Sequence, residues 1–261
     1  VSAPVLLIHG AWQGGWAWDA FAPRLSEAGF RPVAVDLPGN GSDATPPEAV
    51  TLDLYVGHVT RVLAEIGPAH VVGHSGGGLV ASAVAEATPE RVRSLTYVAG
   101  MMLPSGMAFA DLVAEMLPDQ PDIAGIGPHL VWSEDRSTSS VPPAAALACF
   151  FDDCPPEPAR AAAARLTPQP EGGRAVRATL TPGRFGTVPR LYVEASADHS
   201  VAPVLQRRMQ ALVPGAEIVV LPTGHAPQLA APRLLAEAIL PFLAEHDAPA
   251  LPLSAQGTPA P

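Results

Sequence analysis

Ser75 sits in Gly73-His74-Ser75-Gly76-Gly77, between the apolar run Val71-Val72 and a stretch of small apolar residues, Leu79–Ala87. A strand that turns into a helix through a single serine does so sharply. Side chains two residues before and two residues after the serine would collide, so glycine is required at both places. In that context a G-x-S-x-G pattern presents the hydroxyl at the end of a strand. It also puts the first amides and the positive dipole end of the next helix beside it, where an oxyanion would form. The pattern occurs once in the 261 residues. The plainer reading is a glycine-rich loop that happens to hold a serine; the strand before and the helix after favour a nucleophile.

The rest of the chain fits a sheet around that turn. Val5–Ile8, Pro32–Val35, Val71-Val72, Ser94–Val98, Leu191–Val193 and Ile218–Leu221 are short aliphatic runs bounded by Gly or Pro. This is the pattern of strands buried on both faces of a parallel sheet. Helical stretches near 17–28, 52–66, 76–87, 202–213 and 231–244 alternate with them. The alternation predicts an α/β fold, a mostly parallel central sheet flanked by helices. From Met101 to Val188 no such strand occurs, and roughly 85 residues are too many for a connection. Its Pro- and Ala-rich sequence, with helical patterns at Ala108–Leu117 and Glu157–Leu166, predicts an inserted helical cap. The expected organisation is a core of residues 1–100 and 189–246, a cap of 101–188, and a flexible Pro/Ala-rich tail of 247–261 without a chemical role.

Composition removes several alternatives. All 15 basic residues are arginine; there is no lysine. Schiff-base chemistry and lysine-dependent phosphate loops are therefore excluded. The net charge of -10, without a basic stripe, argues against nucleic acid. No apolar run approaches the roughly 18 residues of a membrane span. No basic stretch opens the chain before Val5, so a signal peptide is not expected and a cytoplasmic location is. Cys149 and Cys154 lack the spacing and the nearby histidines of a zinc site, and no metal or cofactor motif occurs. A cofactor-free, metal-free mechanism follows as the expectation.

A nucleophilic serine needs a base and a group that orients the base. His225 lies in the loop after the last strand, in Pro222-Thr223-Gly224-His225, where the base belongs. Asp198 lies in the loop after the preceding strand, whereas Glu194 is expected on the strand itself. The alternative loop for the acid, Gly100-Met101-Met102-Leu103-Pro104, carries no carboxylate. The oxyanion hole is expected from the backbone N–H groups of Gly76 and of Ala11, in the loop after the first strand. Trp12, His74, Met101, Trp132 and Phe150 are candidate substrate contacts. For His74, structural support of the turn is an equal alternative. Trp12, Trp16 and Trp18 could wall a pocket, but packing suits two of the three.

Leu6-Leu7-Ile8-His9-Gly10-Ala11-Trp12-Gln13-Gly14-Gly15-Trp16-Ala17-Trp18 resembles the opening of the methylesterase and hydroxynitrile lyase group of α/β hydrolases. Val35–Gly41, the Ser75 turn, Phe150-Phe151-Asp152-Asp153-Cys154, Ala164–Pro170 and Arg184–Val193 are similar too, so the likeness spans roughly residues 4–244. The resemblance implies an α/β-hydrolase fold with Ser75, Asp198 and His225 as its triad. Cyanohydrin-cleaving members of the group carry a lysine after the catalytic histidine and a threonine after the first-loop histidine. Here those places hold Ala226 and Gly10, which points to the ester-cleaving branch.

The expected activity is therefore cleavage of a small hydrophobic ester through an acyl-enzyme. A lactonase or cyclase using the same triad, or a ligand receptor with slow turnover, are the alternatives. The apolar cap residues favour a hydrophobic small molecule as the partner. Oligomeric state is not readable from the sequence.

Overall fold

The structure is a computed structural model and describes residues 2–247. The expected tail therefore lies, beyond Asp247, outside the described residues. In chain order the elements are β1 (Pro4–Ile8), α1 (Ala22–Glu27), β2 (Arg31–Val35), α2 (Leu52–Ile66), β3 (Ala69–His74), α3 (Gly77–Ala87) and β4 (Val92–Val98). Next come α4 (Phe109–Met116), β5 (Val131–Trp132), β6 (Thr138–Ser140), α5 (Pro143–Cys149), α6 (Pro156–Ala164), β7 (Gln169–Pro170) and α7 (Glu171–Arg174). The chain returns through β8 (Arg190–Ala195), α8 (Pro203–Leu212), β9 (Ala216–Leu221), α9 (Pro227–Ala230) and α10 (Pro232–Glu245).

Six strands form one sheet in the order β2-β1-β3-β4-β8-β9, and every neighbouring pair is parallel. β1, β3 and β8 are buried at every residue, whereas the outer strands β2 and β9, expected from sequence to be buried on both faces, are exposed or half-buried except at Val35 and Leu221, because each has a neighbour on one side only. The period of two along β1 divides the interior. Leu6 and Ile8 join one core with Val71, Leu95 and the buried faces of α2 and α3. Val5 and Leu7 join the other, with Trp18, Phe21 and Leu25 beside α1 and Leu235, Ile239 and Phe242 of α10. Each fully buried side chain of this size contributes about 1.5–3 kcal/mol. α2 starts at Thr51, whose side chain accepts the Leu54 N–H, and buries Tyr55, Val59 and Leu63 on one stripe. α3 lacks a polar face in its first nine residues because all of them, Gly77 to Ala85, are buried.

Between β4 and β8 the chain forms α4–α7 and, in addition, a three-stranded antiparallel sheet, β5-β6-β7. Sequence reading foresaw only helices there. These strands are two or three residues long and include Thr138-Ser139-Ser140, so they give no apolar run to detect. α5 and α6 enclose a cluster of Ala146, Cys149, Phe150, Phe151 and Ala162 that also takes in Trp12 and Ala226 of the core.

Candidate active site

The turn from β3 into α3 places Ser75 at φ +51, a left-handed conformation that an L-residue adopts only when its surroundings hold it. A Cβ on Gly73 would stand 2.6 Å from the Gly77 carbonyl oxygen, and one on Gly77 would stand 2.5 Å from that of His9. The two glycines are thus required by close approach of backbone to backbone. The Ser75 N–H donates to Val98 O (3.2 Å), and its carbonyl accepts from the N–H groups of Gly78 (3.0 Å) and Met101 (2.8 Å). Its side chain faces a cavity of about 450 Å³.

The loops after β8 and β9 bring the other expected residues together. His225 Nδ1 lies 2.8 Å from Asp198 Oδ2, and both side chains are buried. Asp198 is itself held: Oδ1 accepts the N–H groups of Ser200 (2.7 Å) and Val201 (2.8 Å). Gln206 of α8 donates to Oδ2 at 3.2 Å. A carboxylate bound in this way on one side keeps an oxygen aimed at Nδ1, which leaves Nε2 of the imidazole for chemistry. Among the described residues no hydrogen bond joins Ser75 Oγ to His225. Catalytic contacts of this type are commonly loose before substrate binds and tighten in the complex.

Two neighbouring histidines have structural duties. His74 Nε2 lies 2.9 Å from the His225 carbonyl oxygen and Nδ1 lies 3.1 Å from Gln13 Oε1, so its ring ties the serine turn to the backbone of the base. Burial, reinforced by His225, holds the His74 pKa well below the ordinary imidazole range. His9 accepts the Leu37 N–H at Nε2 (3.0 Å), and Nδ1 bonds the Gly10 carbonyl (2.8 Å), pinning the ends of β1 and β2 together. Burial lowers its pKa too.

Ala11, Gly76 and Ser75 all line the cavity. Neither the Ala11 nor the Gly76 N–H is engaged by a described residue. The Ala11 nitrogen lies 3.8 Å from the place a Gly76 side chain would occupy, so the two loops approach each other at the cavity. Trp12 and Met101 also line the cavity. His74, Trp132 and Phe150, expected as substrate contacts, are not among its lining residues. Phe150 stacks on Trp12 at 5.9 Å and packs against His225 at 5.4 Å, behind the wall. Trp132 lies in β5 between the guanidinium groups of Arg136 and Arg174, at 4.6 and 5.3 Å. The direction of these rings depends on how the cap packs, which residue type does not reveal.

Other cavity residues were not foreseen. Asn40, Tyr55 and Gln169 close a buried ring of bonds: Tyr55 Oη to Asn40 Oδ1 (2.8 Å), Asn40 Nδ2 to Gln169 Oε1 (2.9 Å) and Gln169 Nε2 to Tyr55 Oη (3.2 Å). Burial pushes the Tyr55 phenol up to about 12, so it stays protonated. The remaining wall is mainly aliphatic and aromatic, with Leu79, Val80, Phe109, Val113, Leu130 and Val201. The only hint of Gln169 in the sequence was the family likeness of the stretch that contains it.

A strained serine, a buried Asp–His pair at the ends of the next strands, and free amides over one cavity define a hydrolase of the nucleophile-turn type. The profile of the alpha/beta hydrolase family matches residues 5–238, and the chain belongs to that family. It is 33% identical over 269 residues to a pyrethroid hydrolase of Sphingobium wenxiniae, covering 94% of this chain and 88% of the relative. It is 26% identical to putative methylesterase 14, a chloroplastic protein of Arabidopsis thaliana, over 90% of this chain and 70% of the relative. The crystal structure of a pyrethroid hydrolase from Sphingobium faniae superposes with a TM-score of 0.81 at 29% identity, covering 95% of this chain and 99% of that one.

Proposed function

We propose that this chain is a serine carboxylic ester hydrolase acting on uncharged, hydrophobic esters. Ser75 Oγ attacks the ester carbonyl, and His225 Nε2 takes its proton and passes it to the departing alkoxide. Asp198 holds the ring in the required tautomer and stabilises the imidazolium. The N–H groups of Ala11 and Gly76 receive the oxyanion, each such donor being worth about 3–4 kcal/mol in the transition state. Water activated by His225 then releases the acid. The observation that carries this reading is the buried Asp198–His225 pair at 2.8 Å beside the cavity that Ser75 lines.

Two features favour an uncharged, apolar substrate. A cavity of about 450 Å³ with a mainly apolar wall suits a compact hydrophobic molecule. The arginines that reach it are already matched, Arg174 by Glu171 through two bonds at 2.8 and 2.7 Å, and Arg177 by Asp111. No uncompensated cation is left there for a carboxylate-bearing acyl group. The relatives named above are a hydrolase and a methylesterase, which favours hydrolysis over ring closure or ligand reception. No helix among the described residues is long and apolar enough to cross a membrane.

The test is a panel of p-nitrophenyl and methyl esters of increasing acyl size, run with wild type and with Ser75→Ala. Wild type is expected to turn over the neutral esters, and a phosphonate ester to label one site and abolish turnover. Ser75→Ala is expected to keep its fold and lose turnover by about 10³-fold or more. Undiminished hydrolysis by Ser75→Ala would refute the assignment.

A further inference from the structure

Trp12 follows the amide of Ala11, and its backbone stands at φ +63, in the left-handed region. A tryptophan does not rest there by itself; the neighbours must impose it. All the neighbours that hold its polar groups come from the cap. Its N–H donates to Gln169 Oε1 at 3.0 Å. Its carbonyl accepts the Thr167 N–H at 3.0 Å. Its indole N–H donates to the Ser139 carbonyl at 3.0 Å. The side-chain member of this set, Gln169, is fixed in turn by Asn40 and Tyr55, and its Nε2 also donates to the Pro170 carbonyl at 3.0 Å. The residue next to the oxyanion amide is therefore held from outside the sheet that carries the serine, the acid and the base.

We propose that Gln169 is a positioning residue for the oxyanion loop. By taking the Trp12 N–H it fixes the left-handed turn after Ala11, and that turn keeps the Ala11 N–H unbonded and facing the cavity. The cap thus completes the reaction centre as well as enclosing the substrate. This inference rests on the esterase reading above.

Gln169→Met keeps length and apolar bulk but removes the acceptor, and Gln169→Glu keeps an acceptor at the same place. In Gln169→Met, kcat for a p-nitrophenyl ester is expected to fall roughly ten- to hundredfold while KM stays within about twofold, the pattern of a contact felt only in the transition state. Affinity for an arylboronic acid, which adds to the serine as a tetrahedral anion, should weaken by the same factor. Gln169→Glu should recover part of the loss, since it restores the acceptor for Trp12 but its second oxygen cannot donate to the Pro170 carbonyl as Nε2 does. Hydrogen exchange of the intact variant, read on peptides covering residues 9–13, should speed up in Gln169→Met and return towards wild type in Gln169→Glu. Unchanged kcat in Gln169→Met, a loss confined to KM, or exchange at 9–13 no faster than in wild type would each overturn the proposal. If wild type itself cleaved no ester, the esterase reading would fall instead. The exchange rates would then still decide whether Gln169 holds the loop.

Discussion

Gly76 and Gly77 are neighbours with opposite tolerances. A methyl group on Gly77 would meet the carbonyl oxygens of His9 at 2.5 Å and Ile8 at 2.7 Å, whereas on Gly76 the nearest atom is 3.8 Å away. Backbone atoms of a central strand cannot move aside cheaply. Gly77→Ala is therefore expected to destabilise the fold by about 2–4 kcal/mol and Gly76→Ala by under about 1 kcal/mol, read from urea unfolding midpoints. Equal losses would show that the approach of α3 to β1 does not constrain this turn. At this scale the placement of the proposed triad, Ser75, Asp198 and His225, was legible because each sits in a loop directly after an aliphatic strand, where chain order alone brings them to one end of the sheet. The roles of Trp132 and Phe150 were not, since a ring in the cap can face the cavity or face away with the same neighbours in sequence. Gln206 was hidden, and Gln169 showed only through the family likeness of its stretch. An amide that holds a loop leaves no pattern in the sequence around it.

The segment between β4 and β8 reaches the loop of His225 through a second, separate contact. Asp153, in the loop after α5, accepts the N–H of Gly224 at 2.6 Å, one residue before His225. A Cβ on Gly224 would stand 2.7 Å from Asp153 Oδ1 and 2.8 Å from Asp152 Oδ1, so the loop and the two carboxylates are in close contact. Asp153→Ala leaves that amide without its partner. The expected result is a fall in kcat of roughly three- to tenfold and a stability loss of about 1–2 kcal/mol, with Asp153→Asn, which still offers an oxygen, close to wild type. An Asp153→Asn variant as slow as Asp153→Ala would point to charge and not to the hydrogen bond. All six strands of the main sheet were readable as elements, β1, β3 and β8 because burial on both faces demands continuous aliphatic residues, and the outer β2 and β9 because they keep short aliphatic runs bounded by Gly or Pro. β5–β7 were not: strands of two or three mainly polar residues are held by pairing and by bonds such as Trp12 Nε1 to Ser139, and neither leaves a compositional mark.

Three imidazoles make the whole molecule sensitive to mild acid. Burial lowers the pKa of His9 and His74, and pushes His70 down to about 4 against the pull of Asp247. In the unfolded chain the same groups take up protons near pH 6.5. Below that value the unfolded state binds more protons than the folded one, so stability falls as pH falls. The contribution of His70 continues to be lost down to about pH 4, where the folded ring also titrates. The melting temperature is thus expected to be level above about pH 7 and to decline steadily from about pH 6.5 to pH 4. His70→Asn should flatten part of the decline; a flat wild-type profile across that interval would contradict the neutral burial of these rings. Asp36 acts at lower pH: although burial opposes it, bonds from Ser42 and the Gly15 amide hold its carboxyl below the usual range, so its support is lost only in stronger acid.

β4 and β8 are partners in the sheet, yet the whole stretch containing α4–α7 separates them along the chain. The first four strands carry Ser75 and the amides of Ala11 and Gly76 that we propose for the oxyanion; Asp198 and His225 come only with the last two. A partly assembled chain can hold a well-formed serine turn and still lack the Asp198–His225 pair. Joining β8 to β4 closes a loop of great length, which is slow relative to the local pairings on either side of it. During refolding, ester cleavage therefore marks the arrival of the C-terminal strands, and backbone order precedes competence.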